Sequence, residues 1–341
     1  MEIEVFKCIF SGHFFFGKER SYNQVLEQYE NRVVNHYRNL VALKTEDVFD
    51  ESELAIVVWP RLIVNISKKQ WNNTVQLLKF AAGYAVAGKF SAHMIKDGQL
   101  LDQHNIEPNS EKVAVQAFRK GRELGYQEGQ ETEAFKALDK AIKRYEKHAL
   151  AYERRGYIQV RLENYDDAIR DFTKSISSNP DIPEPYIGRA TAYMKQAKWA
   201  EAQQDLKTAT TKCIPHDPIY WKAIRLKAEV ELKLGEYESV KKDLKRFTSR
   251  GFNEENPNYK YRKLAFTNYG IAMMETDEYK DAIEAFNQAA DIPDGKRIHP
   301  ADPLFYRGLA KQKAGKRDYK KDLKQAAELG SERAAEMLAK K

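Results

Sequence analysis

The chain predicts an all-α fold, an α-solenoid of stacked helical hairpins, and three recurrences within its 341 residues carry that reading. A small residue returns at Gly121, Gly156, Ala190, Ala228, Gly270 and Gly308, at spacings of 34 to 42 residues. Twelve or thirteen positions after each of the first five comes a second small or short residue, at Ala134, Ala168, Ala202, Val240 and Ala282. A large apolar residue follows four positions later, at Leu138, Phe172, Leu206, Leu244 and Phe286. An aromatic precedes the second block at Tyr165, Trp199, Tyr237 and Tyr279. Fixed self-similarity of this length is the mark of a repeat architecture.

Each unit reads as two amphipathic helices. Small residues on the first let the second approach closely, and the large residue fills the space between them. The aromatic wedges the turn, as in Leu162-Glu-Asn-Tyr165 and Leu234-Gly-Glu-Tyr237, while Asn179-Pro180 and Pro215 close two of the units, since a proline ends a helix at or before the residue ahead of it. These residues resemble the tetratricopeptide repeat family, whose units are helix-turn-helix with small residues at the same offsets. The clearest copy is Ala149–Pro180, with Tyr152, Gly156, Tyr165, Ala168, Phe172 and Pro180 on pattern, and the resemblance covers about residues 113–330. Units four and five are longer than the family repeat, and the sixth has Lys320 where a small residue is expected. The resemblance implies about six hairpins over 111–330 in a right-handed superhelix. Ser331–Ala339 then forms a terminal capping helix within 331–341, its outer face polar as a solenoid end requires.

The first 110 residues do not repeat cleanly. Tyr22–Leu43 has helical spacing, Leu54–Ile66 reads as a helix kinked or split at Pro60, and Trp71–Ile95 as another helical stretch turning near Gly88. The expectation is a helical amino-terminal region of degenerate hairpins over 1–110. Met1–Phe16, with Ile3, Val5 and Cys8, forms a short extended piece docked on it, and polar Asp102–Lys112 is the boundary.

Composition excludes several classes. With 17 Gly, 11 Pro and 11% aromatics the chain is neither disordered nor collagen-like. Cys8 and Cys213 are too few for a disulfide framework and suggest a reducing compartment. No apolar run approaches the roughly 20 residues of a membrane span, and the acidic start MEIEVFKCIF is a poor signal peptide. A cytoplasmic protein is expected. The net charge of +7 is thinly spread, with most of the surplus after residue 300.

Chemistry finds little support. Gly83–Lys89 matches the first seven residues of a phosphate-binding loop, but Phe90 replaces the metal-holding hydroxyl and the preceding residues look helical. The segment reads instead as a turn between helices with Gly88 at a helix end. The seven histidines stand apart from any metal-ligand spacing, and no nucleophile motif is present. No catalytic residue, metal or cofactor is expected.

Binding has more to draw on. In the family's geometry the first helix of each hairpin lines the concave face. The best groove residues are Leu150, Tyr157, Ile187, Met194, Leu264, Ile271 and Phe305, suited to an apolar or amphipathic segment of a partner protein. The family's clamp for chaperone tails needs Lys and Asn on successive first helices. Glu153, Tyr157, Ile187 and Thr191 stand there instead, so that function is not carried over. An alternative is an RNA or phosphate surface from Lys241, Lys242, Lys245, Arg246, Tyr259, Lys260 and Arg262, with a second basic cluster over 311–324.

Overall fold

Side chains that alternate, rather than recur every third or fourth position, govern the first hundred residues. In the computed structural model, which describes residues 4–293 and 295–339, β1 (Val5–Phe15), β2 (Phe49–Asp50), β3 (Ala55–Ser67), β4 (Ala87–Lys96) and β5 (Gln99–Ile106) form one antiparallel sheet in the order β2-β3-β1-β4-β5. Phe6, Cys8, Phe10 and Phe14 of β1 face inward and pack on α1 (Glu19–Asn31) and α3 (Lys68–Ala82) through Tyr22, Val25, Trp71 and Leu78. A short α2 (Thr45–Val48) leads into β2. Residues 1–3 of the expected extended piece, Ile3 among them, lie outside the described residues; Val5–Phe15 of it forms β1.

Two expectations fail here. Leu54–Ile66 is not a kinked helix, because its run of β-branched residues favours a strand. Pro60, after a cis bond from Trp59, sits where the β1–β3 register shifts between Phe10 and Gly12, an irregularity at which a strand tolerates proline. Trp71–Ile95 is helical only as far as Ala82. The helix begins at a capping box in which the Ser67 hydroxyl accepts from the Gln70 N–H (3.3 Å) and Gln70 accepts from the Ser67 N–H (3.1 Å). The chain then turns into β4. Gly88 belongs to that strand, with φ +115°, and a Cβ there would lie 2.1 Å from the His13 carbonyl oxygen. The apparent phosphate loop is a helix-to-strand turn. Residues 1–110 are therefore a sheet with helices on one face rather than degenerate hairpins, and β5 takes up the first five residues of the expected polar boundary.

Beyond it the hairpins follow the predicted offsets: α4 (Val113–Leu124) with α5 (Glu131–Arg144), α6 (Ala149–Arg161) with α7 (Tyr165–Ser178), α8 (Pro183–Lys195) with α9 (Trp199–Lys212), α10 (Pro218–Leu234) with α11 (Tyr237–Thr248), α12 (Arg262–Glu275) with α13 (Tyr279–Asp291), and α14 (Asp302–Lys313) with α15 (Tyr319–Glu328). The terminal helix is α16 (Glu332–Ala339). The chain divides into two compact units, Met1–Ala192 and Tyr193–Lys341. No helix among the described residues is long and apolar enough to cross a membrane.

The small and large positions meet as expected. A Cβ on Gly156 would lie 2.9 Å from the Phe172 ring and one on Gly188 2.3 Å from it; Gly270 faces Phe286 and Gly308 faces Leu323 in the same way. Phe172 and Phe286 are fully buried. A second tie, missed in the sequence, accompanies this packing. In four of the six units the residue before the small position is basic (Arg155, Arg189, Lys227, Arg307) and the one before the large apolar position is Asp (Asp171, Asp205, Asp243, Asp322). Arg155 donates twice to Asp171 (2.8 and 2.7 Å), Arg307 twice to Asp322 (3.0 and 2.6 Å), and Lys227 once to Asp243 (2.7 Å). Burial opposes the charge on Arg155 and Lys227, but their carboxylate partners outweigh it and hold both pKa values above normal.

Phe172→Ala is expected to lower stability by about 3–5 kcal/mol, read from denaturant unfolding of the full chain. Gly188→Ala, which in an open helix stabilises by about 1 kcal/mol, is expected to destabilise here.

Candidate partner-binding site

The first helices show a simple division. From the second unit on, the position three before the small residue is buried throughout, the position six before is buried at Leu150 and Leu264 and half-buried at Glu184, Lys222 and Asp302, and positions one and four after are half-buried except for exposed Gln312. Leu150, Ile187, Leu264 and Phe305 are 5%, 0%, 9% and 6% exposed, so these four groove candidates pack inside the protein. Leu150 joins Phe118 and Leu138 in one cluster, and Phe305 joins Ala301 and Leu323 in another. Tyr157, Met194 and Ile271, at the later positions, are half-buried.

In the amino-terminal unit the sheet lies over the same helices. β4 packs against α6, and Lys89 on β4 pairs with Glu184 on α8 at 3.6 Å. The Tyr157 hydroxyl donates to the Glu184 carbonyl at 3.0 Å, and its ring meets Phe172 edge-on at 5.1 Å. Burial, followed by the charges of Glu153 and Glu184, raises the Tyr157 pKa well above normal. The Phe15 ring on β1 sits 6.0 Å from that of Tyr145 at the end of α5, and Lys147 pairs with Glu53 at 2.9 Å. Tyr157 thus serves the molecule's own packing.

In the carboxy-terminal unit the early positions are covered differently. Buried Arg225 lies over the Tyr261 ring at 3.8 Å and is paired with Glu229, which also binds Arg297 at 3.2 Å. The Lys296 N–H donates to the Lys260 carbonyl at 2.9 Å. The connection after α13 therefore folds back over the start of α12. Past it, Leu232, Ile271, Met274 and Leu309 remain half-buried along α10, α12 and α14.

The basic and aromatic alternative is largely spent on internal contacts. Tyr259 lies beneath Arg262 (4.9 Å) and packs on the Trp221–Phe247 cluster. Lys260 faces Tyr261 at 5.7 Å and Arg246 faces Tyr220 at 5.7 Å. Lys241 is engaged by Glu238 and Glu278, while Lys242 and Lys245 are exposed. Tyr220, Tyr259 and Tyr261 thus each already carry a cation of this chain against the ring. Among the described residues, no group of three or more His, Cys, Asp or Glu side chains is placed to hold a metal ion.

With this geometry in hand, comparison with known proteins places the repeats. Residues 119–181 match the family model of the tetratricopeptide repeat. The chain is 33% identical over 78 residues to Hsp70-Hsp90 organizing protein 2 of Arabidopsis thaliana, covering 23% of this chain and 13% of that one. It is 24% identical over 213 residues to human DnaJ homolog subfamily C member 7, covering 58% and 41%. It spans less than half the length of either relative. The solved structure of Pseudomonas aeruginosa pilF superposes with a TM-score of 0.53 at 18% identity, covering 67% of this chain and all of that one. YrrB, described as a tetratricopeptide repeat protein with an unusual peptide-binding site, gives 0.50 at 15% identity, covering 60% and 98%. The chain carries tetratricopeptide repeats, and its helical part shares the α-solenoid fold of these structures.

Two buried imidazoles make the amino-terminal unit sensitive to acid. His148, 1% exposed, accepts the Ala151 N–H at 3.3 Å, and burial lowers its pKa from 6.5 to about 4; His13, 7% exposed, is lowered by burial to about 4. The unfolded chain binds these protons from about pH 6.5 downward and the folded chain only near 4. Stability is therefore full above pH 6.5 and falls as pH drops toward 4. The denaturation midpoint is expected to decline over that window, and His148→Asn, which keeps a cap acceptor, to flatten the decline.

Proposed function

We propose that this protein is a non-catalytic protein–protein interaction scaffold of a reducing compartment, the cytoplasm. Its partner contributes an apolar or amphipathic segment that lies on the carboxy-terminal unit. The observation that carries the reading is the run of half-buried apolar side chains at the later first-helix positions, Leu232, Ile271, Met274 and Leu309. Apolar side chains that recur at the two later positions of successive first helices make a surface suited to the apolar stripe of another helix. Met194, also half-buried, belongs to the same class of position. The buried thiols of Cys8 and Cys213 support the compartment, and burial raises the Cys8 pKa to about 11, which keeps that thiol unreactive.

Affinity capture from native lysate tests the reading. An Ile271→Glu, Met274→Glu variant, checked for native circular dichroism, is expected to lose proteins that the unaltered chain retains. Equal recovery of every captured protein by both chains would overturn it.

A further inference from the structure

Where the sheet meets the ends of α5 and α7, the amino-terminal unit forms an open-mouthed cavity of about 780 Å³. That falls within the range of sites that hold small ligands or a few residues of peptide. His13 lines it. This side chain is 7% exposed and its Nε2 has no hydrogen-bond partner. A buried polar atom left unsatisfied costs free energy that a ligand's hydrogen bond recovers.

The rest of the lining selects the chemistry. Phe15, Trp59 and Tyr152 supply aromatic surface, Trp59 being 55% exposed. Two of the three lining lysines are matched by carboxylates: Lys147 by Glu53 at 2.9 Å and Lys143 by Asp139 at 2.8 Å. The lining then retains Asp50, Glu146 and Asp181 against Lys174. Ile142, Lys143, Ser177 and Ser178 belong to the last turns of α5 and α7, so two helix carboxyl ends border the same space. Such ends carry partial negative charge and favour donors and cations. Burial keeps His13 neutral, able to accept a hydrogen bond without repelling a positive charge.

We propose that this cavity binds the guanidinium group of an arginine side chain on a partner polypeptide. A planar guanidinium stacks on aromatic rings, offers five donors and is more weakly hydrated than an ammonium. It therefore matches aromatic walls, surplus carboxylate and an unsatisfied imidazole together. Only the assignment of the arginine to a protein rests on the scaffold reading; the cavity lies in a different unit from the apolar stripe.

The full chain labelled with 5-fluorotryptophan tests this, the Trp59 resonance being assigned from Trp59→Phe. N-acetyl-Gly-Arg-Gly-amide is expected to shift that resonance saturably. The isosteric citrulline peptide should bind about tenfold more weakly, as should the arginine peptide to an Asp50→Asn, Glu146→Gln variant. Equal response to citrulline, preference for the glutamate peptide, or no shift at all would overturn the proposal. An Ile271→Glu, Met274→Glu chain should still bind the arginine peptide. Loss of captured partners with the cavity response intact would be a result of the stripe alone, and the converse a result of the cavity alone.

Discussion

In the amino-terminal unit, strand β4 lies on the first helix of a repeat, and Lys89 reaches Glu184 one hairpin further on, 3.6 Å away. An ion pair of this exposure adds roughly 0–1 kcal/mol, so it marks the contact more than it holds it. The apolar neighbours do the holding. Phe15 is 6% exposed beside Tyr145, and Val86 lies against Gly17 close to the same tyrosine. Because the sheet covers this part of the first-helix face, the proposed partner surface is confined to the later positions of the carboxy-terminal unit and the proposed arginine site to the edge where the sheet and helix ends meet.

The repeats were legible in the sequence because their grammar is local. A glycine at 156 or 270 allows the close approach that a ring at 172 or 286 fills, and each such pair recurs at a near-constant offset. The basic residue and aspartate beside those positions obey the same offset, as at Arg155 and Asp171 or Lys227 and Asp243. That signal was present in the sequence and passed over, since charges on amphipathic helices are ordinarily read as solvated faces. Here the pairs are mostly buried, and removing one partner would leave the other charged in a low-dielectric setting.

The sheet was not legible for two reasons. Pro60 interrupts β3 at an irregularity, which disguises a strand as a broken helix, and β4 follows α3 after only a short turn. Burial of the early first-helix positions was equally hidden. Helical periodicity shows that Leu150 and Tyr157 share a face, but whether that face meets solvent, a sheet or a returning loop is settled by chain segments distant in sequence. The Arg297–Glu229 pair shows this in the other unit, where the connection after α13 reaches across to α10.

The central claim is that the sheet lies against the repeats in the folded chain. Zero-length carbodiimide cross-linking, which joins only an amine and a carboxylate already in contact, tests it most directly. Mass spectrometry of the digested full chain is expected to find amide links between Lys89 and Glu184 and between Lys147 and Glu53, alongside the within-hairpin Lys227–Asp243 link as an internal reference. Recovery of the reference link without either of the other two would contradict the account.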